Sequence, residues 1–180
     1  MEVFAQDRPD EILMHVKFRC HVRWATRRDM PEILAIEHAS FDHPWCEEEF
    51  LRVLRQRNCI GMVAEHGDRV VGFMAYELHR DKIQLLDFAT HSGCRRTGVG
   101  RYMISKVAGK LSRLRRDRIE LVVRETNLPA QLFFRAQGFG ATEVIRSHYP
   151  DSGEDGYAML YRLPASAATQ LEGVPWSATT

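Results

Sequence analysis

The stretch that most constrains this chain runs from Leu86-Asp87-Phe88-Ala89-Thr90 through Arg95-Arg96-Thr97-Gly98-Val99-Gly100 into a helical pattern with Val99, Met103, Ile104 and Val107 on one side. A strand that feeds a glycine-bearing turn opening a helix is a unit of layered α/β architecture. The first N–H groups of a helix lack intrahelical acceptors, and the positive end of the dipole lies there, so such a turn suits a phosphate. Gly98 and Gly100 let a ligand approach the backbone where a Cβ would stand in the way. Arg95, Arg96 and Arg101 add positive charge around the same turn. The pattern R-x-x-G-x-G also fits a plain glycine turn between strand and helix. It is neither the G-x-G-x-x-G of a dinucleotide fold nor the G-K-S/T of a Walker loop.

The rest of the chain supplies the layers. Alternation from Lys17 puts Phe18, Cys20, Val22 and Trp24 on one face of a strand. Asp29 and Pro31 open a helix that Ile33, Ile36 and Glu37 continue to about Ser40. After the break Phe41-Asp42-His43-Pro44-Trp45, a second helix covers about 46–57 and opens on Glu47, Glu48 and Glu49 near its positive end. Strands are expected over 59–65, 69–78 and 82–90, with tight turns at 66–68 and 79–81. A helix over 98–113, a strand over 118–124 and a helix over 128–137, closed by Gly138, follow. A final pair of strands covers 141–147 and 157–162. The order β-α-α-β-β-β-α-β-α-β-β predicts one α/β domain over 17–163, a mixed, mostly antiparallel central sheet flanked by helices. Residues 1–16 read as an extension, and the Ala-, Thr- and Ser-rich stretch from Pro164 to residue 180 as a disordered tail.

Charge and composition exclude several function classes. A formal net charge of +1 gives no global attraction to nucleic acid or an anionic membrane. The basic cluster Lys106, Lys110, Arg113, Arg115, Arg116 and Arg118 lacks interleaved aromatics and reads as a solvated face. The four cysteines, at 20, 46, 59 and 94, form no C-x-x-C pair, and the eight histidines show no ligand spacing, so no metal is expected. No apolar run approaches the ~20 residues of a membrane helix, and no signal-type segment opens the chain; a soluble cytoplasmic protein is expected, as a monomer or homodimer.

Four further segments carry a resemblance: Leu121-Val122-Val123-Arg124-Glu125-Thr126-Asn127, Phe133-Phe134-Arg135-Ala136-Gln137-Gly138-Phe139, the loop from Phe41 to Phe50, and Arg146-Ser147-His148-Tyr149-Pro150. With R-x-x-G-x-G they resemble GNAT N-acetyltransferases, most of all the bacterial ribosomal-protein alanine N-acetyltransferases (RimI-like), over about 20–162. The resemblance implies the acyl-CoA N-acyltransferase fold and acetyl-CoA as co-substrate, without a metal. It implies that Phe88, Ala89 and Thr90 pair with the pantetheine arm. Main-chain N–H groups of Arg96, Thr97, Gly98, Val99, Gly100 and Arg101, beside Arg95, would hold the diphosphate. Asn127 matches a cofactor-contacting position and is equally a good helix N-cap. Phe41, Pro44, Trp45, His148 and Tyr149 fall where an acceptor peptide would lie, and the implied acceptor is a protein or peptide N-terminus.

The chain departs from the resemblance at both proton-transfer positions. The strand glutamate used as base corresponds to Val122, and the helix tyrosine used as acid to Phe134; neither residue can move a proton. Glu120, two residues earlier on the same strand face, and Tyr149 are the substitute candidates, with Asp87 a weaker one. Three readings follow: an N-terminal acetyltransferase, an acetyltransferase of small amines, and a CoA-binding module that has lost turnover.

Overall fold

The computed structural model describes residues 20–164. The expected extension, the start of the first strand and all of the tail beyond Pro164 lie outside them. The elements are β1 (His21–Trp24), α1 (Met30–His38), α2 (Glu47–Leu54), β2 (Cys59–His66), β3 (Arg69–Leu78), β4 (Lys82–Thr90), α3 (Val99–Ala108), β5 (Arg118–Arg124), α4 (Leu128–Ala136), β6 (Gly140–Tyr149) and β7 (Glu154–Arg162). Short 3-10 turns precede α1 and α3.

The strands form one sheet in the order β1-β2-β3-β4-β5-β7-β6. Every pairing is antiparallel except β4 with β5, which is parallel. β3 lies inside this sheet, and its run from Val70 to Tyr76 is buried on both faces, as a central strand requires. Phe73 and Val70 join Met30, Ile33, Ile36 and Phe50 in a core under α1 and α2. Met74 and Tyr76 join Met103, Val107, Ile119 and Phe134 in the larger core under α3 and α4. The Arg23 guanidinium holds the buried Asp29 carboxylate through bonds of 2.7 and 2.8 Å, tying β1 to the start of α1.

Local chemistry sets the helix ends. Asn127 Oδ1 accepts the Ala130 N–H at 3.1 Å and caps α4. Glu49 returns to accept the Cys46 N–H at 2.8 Å at the start of α2.

The structure departs from expectation in four places. The helix from 98 stops at Ala108, because the chain turns after Gly109 and Ser112 N–H bonds to Arg116 C=O at 2.6 Å. The helix from 46 stops at Leu54 rather than 57. Trp24 does not share the buried face of Val22; it is 63% exposed at the end of β1. The last two strands run longer than expected because the 149–153 turn is tight, with Gly153 at φ +74° and its N–H on Tyr149 C=O at 2.7 Å. Among the described residues no helix is long and apolar enough to cross a membrane.

Candidate active site

The site originates in the one parallel pairing. β4 and β5 are in register only from Lys82–Gln84 to Arg118–Glu120. Beyond those residues β4 continues along β3, and β5 along β7. The two strands therefore splay, and residues 85–90 and 121–124 leave a gap between their facing edges. Strand edges left unpaired in this way need other partners for their N–H and C=O groups. Two cavities open at the gap, one of about 480 Å³ and one of about 630 Å³. Phe41, Phe88, Asn127, Ala130 and Phe134 line both, so the cavities meet there.

The smaller cavity lies against the N-terminus of α3. Its wall includes Phe88, Ala89, Thr90, Arg95, Arg96, Gly98, Gly100, Arg101 and Asn127. Gly98 sits at φ +95°, the left-handed region, immediately before α3. The main-chain N–H groups of residues 96–101 donate to no acceptor among the described residues. They stand at the N-terminus of a ten-residue helix, where the dipole adds to their pull on an anion. Arg95 is anchored beside them by bonds to Thr90 C=O and Ser40 Oγ, at 3.4 and 3.3 Å. A Cβ on Gly100 would come within 3.1 Å of the Phe133 ring and 3.3 Å of the Phe88 ring, so glycine keeps that approach close. Phe88 and Phe133 stack with centroids 5.5 Å apart, giving an apolar floor beside the amides. Unengaged amides, nearby cations and an apolar trough fit a diphosphate carried on an uncharged arm.

Two of the expected cofactor residues differ in role from the rest. Val99 is buried in the core and contributes only backbone. The Thr97 hydroxyl donates to Cys94 C=O at 2.7 Å, so its side chain is spent on the turn. Asn127 holds both expected positions: it caps α4 through Oδ1 and lines both cavities, and its side-chain NH2 has no acceptor among the described residues.

The larger cavity is acidic. Phe41, Pro44 and Trp45 line it, as do Val122, Phe134 and Tyr149. The Trp45 ring meets Phe50 edge-on at 5.2 Å, which fixes the loop against the core. Tyr149 donates its hydroxyl to Val122 C=O at 3.2 Å, and the Arg124 guanidinium lies 3.9 Å over its ring. Burial raises the Tyr149 hydroxyl above its ordinary pKa, so it stays protonated at neutral pH and acts as a donor. Arg124 is itself held by Glu154 and Asp151. His148 is not part of either cavity wall; its ring packs edge-on against Tyr149 at 4.8 Å.

Glu120 is also absent from both walls. It lies where β4 and β5 are still paired, and it accepts from Lys82 Nζ at 2.6 Å and Arg118 Nε at 2.8 Å. Burial alone would raise its pKa, but those two cations outweigh that and hold it below the usual carboxylate value. A carboxylate so stabilised is a poor base. Glu120 shares the strand face of Val122, but the splay begins only beyond it.

The carboxyls that do reach the acceptor cavity are Glu37 and Asp87. Glu37, only 1% exposed, accepts the Trp45 N–H through Oε1 at 2.8 Å. Its Oε2 and the Oδ2 of Asp87 are inaccessible, and the two carboxyls hydrogen-bond each other when one is protonated. Desolvation pushes Glu37 up to about 7, with Glu49 adding repulsion. Asp87 is also raised well above its ordinary value, by desolvation first and by the Glu37 charge second. Glu37 was visible in the sequence as the third member of the Ile33, Ile36, Glu37 spacing, which puts a carboxyl on the apolar face of α1.

Residues 30–139 match the family model of the acetyltransferase (GNAT) family. A Bacillus subtilis protein to which ribosomal protein bS18-alanine N-acetyltransferase activity is ascribed is 24% identical over 80% of this chain and 96% of its own. The ribosomal-protein-S18-alanine N-acetyltransferase of Escherichia coli superposes with a TM-score of 0.72 at 20% identity, over 84% of this chain and 98% of that one. Arabidopsis thaliana NAA60 in complex with acetyl-CoA superposes with a TM-score of 0.69 at 16% identity, over 81% of this chain and 100% of that one. At such identities the structural likenesses carry the fold.

Proposed function

The chain belongs to the GNAT acetyltransferase family, and from that premise we propose that it transfers acetyl from acetyl-CoA to the α-amino group of a protein or peptide N-terminus. The observation that carries this reading is the meeting of two unlike cavities at the β4/β5 splay, one walled by unengaged amides and arginines, the other by carboxyls. Bound acetyl-CoA supplies an activated thioester carbonyl. The residues of this chain do the rest. The amides of residues 96–101 and the cations Arg95, Arg96 and Arg101 hold the diphosphate. The open edge of Phe88, Ala89 and Thr90 offers main-chain groups to the arm. Phe88, Phe133 and Phe134 exclude water beside it.

The acceptor side favours a cationic amine. Asp42, Glu49, Asp151 and the Glu37–Asp87 pair, which carries one charge between them, line it against the single cation Arg124, which already faces Asp151 and Glu154. An ammonium group is drawn to such a wall. Phe41, Pro44, Trp45 and Tyr149 form an apolar lip on which the first side chains of a peptide can rest. Relatives named as ribosomal-protein-alanine N-acetyltransferases support a protein acceptor for this lip.

A panel of peptides with free or blocked N-termini, together with polyamines, amino acids and an aminoglycoside, tests the reading by release of the CoA thiol. Turnover restricted to peptides with a free α-amine supports it. Faster turnover of small amines replaces it with the small-amine reading. Acetyl-CoA binding without turnover of any acceptor replaces it with a binding module, the outcome that Val122 and Phe134 would favour.

A further inference from the structure

Two carboxyls without a cationic partner, Glu37 and Asp87, stand in the wall of the larger cavity. Glu37 comes from the last turns of α1 and Asp87 from the middle of β4, opposite Ala75 of β3. Neither makes an ion pair among the described residues, in a chain where Asp29, Glu120, Asp151 and Glu154 all do. Beyond the Trp45 and Phe88 amides, their hydrogen-bond partner is each other. With no cation beside them, two buried carboxyls can share a proton but cannot both carry charge cheaply. Groups left poised in a cavity are the usual mark of proton transfer.

We propose that Glu37, coupled to Asp87, accepts the proton of the incoming ammonium group in the transferase reaction. This assignment rests on the transferase reading above. The other ionisable side chains around the cavity do not compete. Asp151 is held by Arg124, and Glu49 by the Cys46 N–H. His43 lies 3.6 Å from Asp151 with its side chain 45% exposed. Asp42 is exposed, and Tyr149 is a donor.

The step balances as follows. The N–H bond of R–NH3⁺ breaks, its proton bonds to the Glu37 carboxylate, and the nitrogen keeps the electron pair. That pair forms the C–N bond at the thioester carbonyl as the C–S bond breaks. A second N–H proton passes to the departing sulfur, and Glu37 returns its proton to water. Asp87 stays protonated throughout and donates to Glu37; it is a positioning residue. Two carboxyls so close to each other cannot both ionise easily, so the pair carries a single charge and has room for one more proton.

The test uses the full chain and a peptide acceptor that the wild type acetylates. Glu37→Gln keeps a carbonyl for the Trp45 N–H and removes the basic oxygen. It lowers kcat/KM by about 100-fold or more, the usual worth of a general base. Acetyl-CoA affinity stays at the wild-type value, and so does the melting temperature at pH 5, where the wild-type Glu37 is protonated. In the wild type kcat/KM rises with pH through about 7, the value to which Glu37 is pushed. In Glu37→Gln only the rise due to the peptide amine, near ~8, remains. Asp87→Ala removes the donor that lowers Glu37, so the acid-side rise moves to higher pH, which a purely structural role would not produce. Glu37→Gln within threefold of wild type, with the rise near 7 intact, overturns the assignment and leaves the transferase reading standing. A wild type that binds acetyl-CoA and acetylates nothing overturns both.

Discussion

Glu37 is the residue whose chemistry reaches beyond the reaction. A carboxyl raised in the folded state binds its proton more tightly there than in the unfolded chain. Its contribution to stability is therefore complete below the unfolded value of ~4.3 and is lost as pH climbs through about 7. Asp87, raised by the same burial, acts in the same direction. The wild type is expected to melt at progressively lower temperature from pH 5 to pH 7, and Glu37→Gln to flatten that slope. A wild-type melting temperature that rises over this interval contradicts the buried-pair account. Sequence reading named Phe41, Pro44, Trp45 and Tyr149, which line the larger cavity, and offered Asp87 as a weaker catalytic candidate, but it did not single out Glu37. Glu37 looks like one more charge on a helix until Ile33 and Ile36 are read beside it, and its partner lies on a strand far away in sequence.

At the scale of elements, the turn before α3 carries the cofactor argument. Gly98 adopts φ +95°, and an added Cβ there meets nothing within 4 Å. The cost of Gly98→Ala is thus conformational, about 1–2 kcal/mol for a left-handed alanine, and relaxing it misaims the amides of α3. Calorimetry is expected to show acetyl-CoA bound roughly tenfold more weakly, since 1.4 kcal/mol is a factor of ten. An unchanged affinity would mean that the amides of this turn do not carry the diphosphate. This element was legible because its signal is local: glycines, arginines and helical periodicity fall within one short stretch. Glu120 was misjudged because the splay is not local. It depends on where β4 stops following β5, and no pattern within either strand marks that point.

For the whole molecule, the sheet order explains why the site exists at all. The chain runs β1 to β4 as a meander, then crosses over through α3 to lay β5 parallel to β4, and inserts β7 between β5 and β6. The single parallel pairing is where the two halves of the sheet diverge, and ligands of open α/β sheets bind at such breaks. Strand existence and order along the chain were readable from alternation and turns. The spatial order of β5, β7 and β6 was not, because long-range pairing leaves no mark on short-range pattern. The most direct measurement of the account is an amide-proton NMR titration of the full chain with acetyl-CoA. The account predicts downfield shifts concentrated at the amides of residues 96–101, with smaller changes at 88–90. Absence of binding at millimolar ligand, or shifts that leave 96–101 untouched, would contradict it.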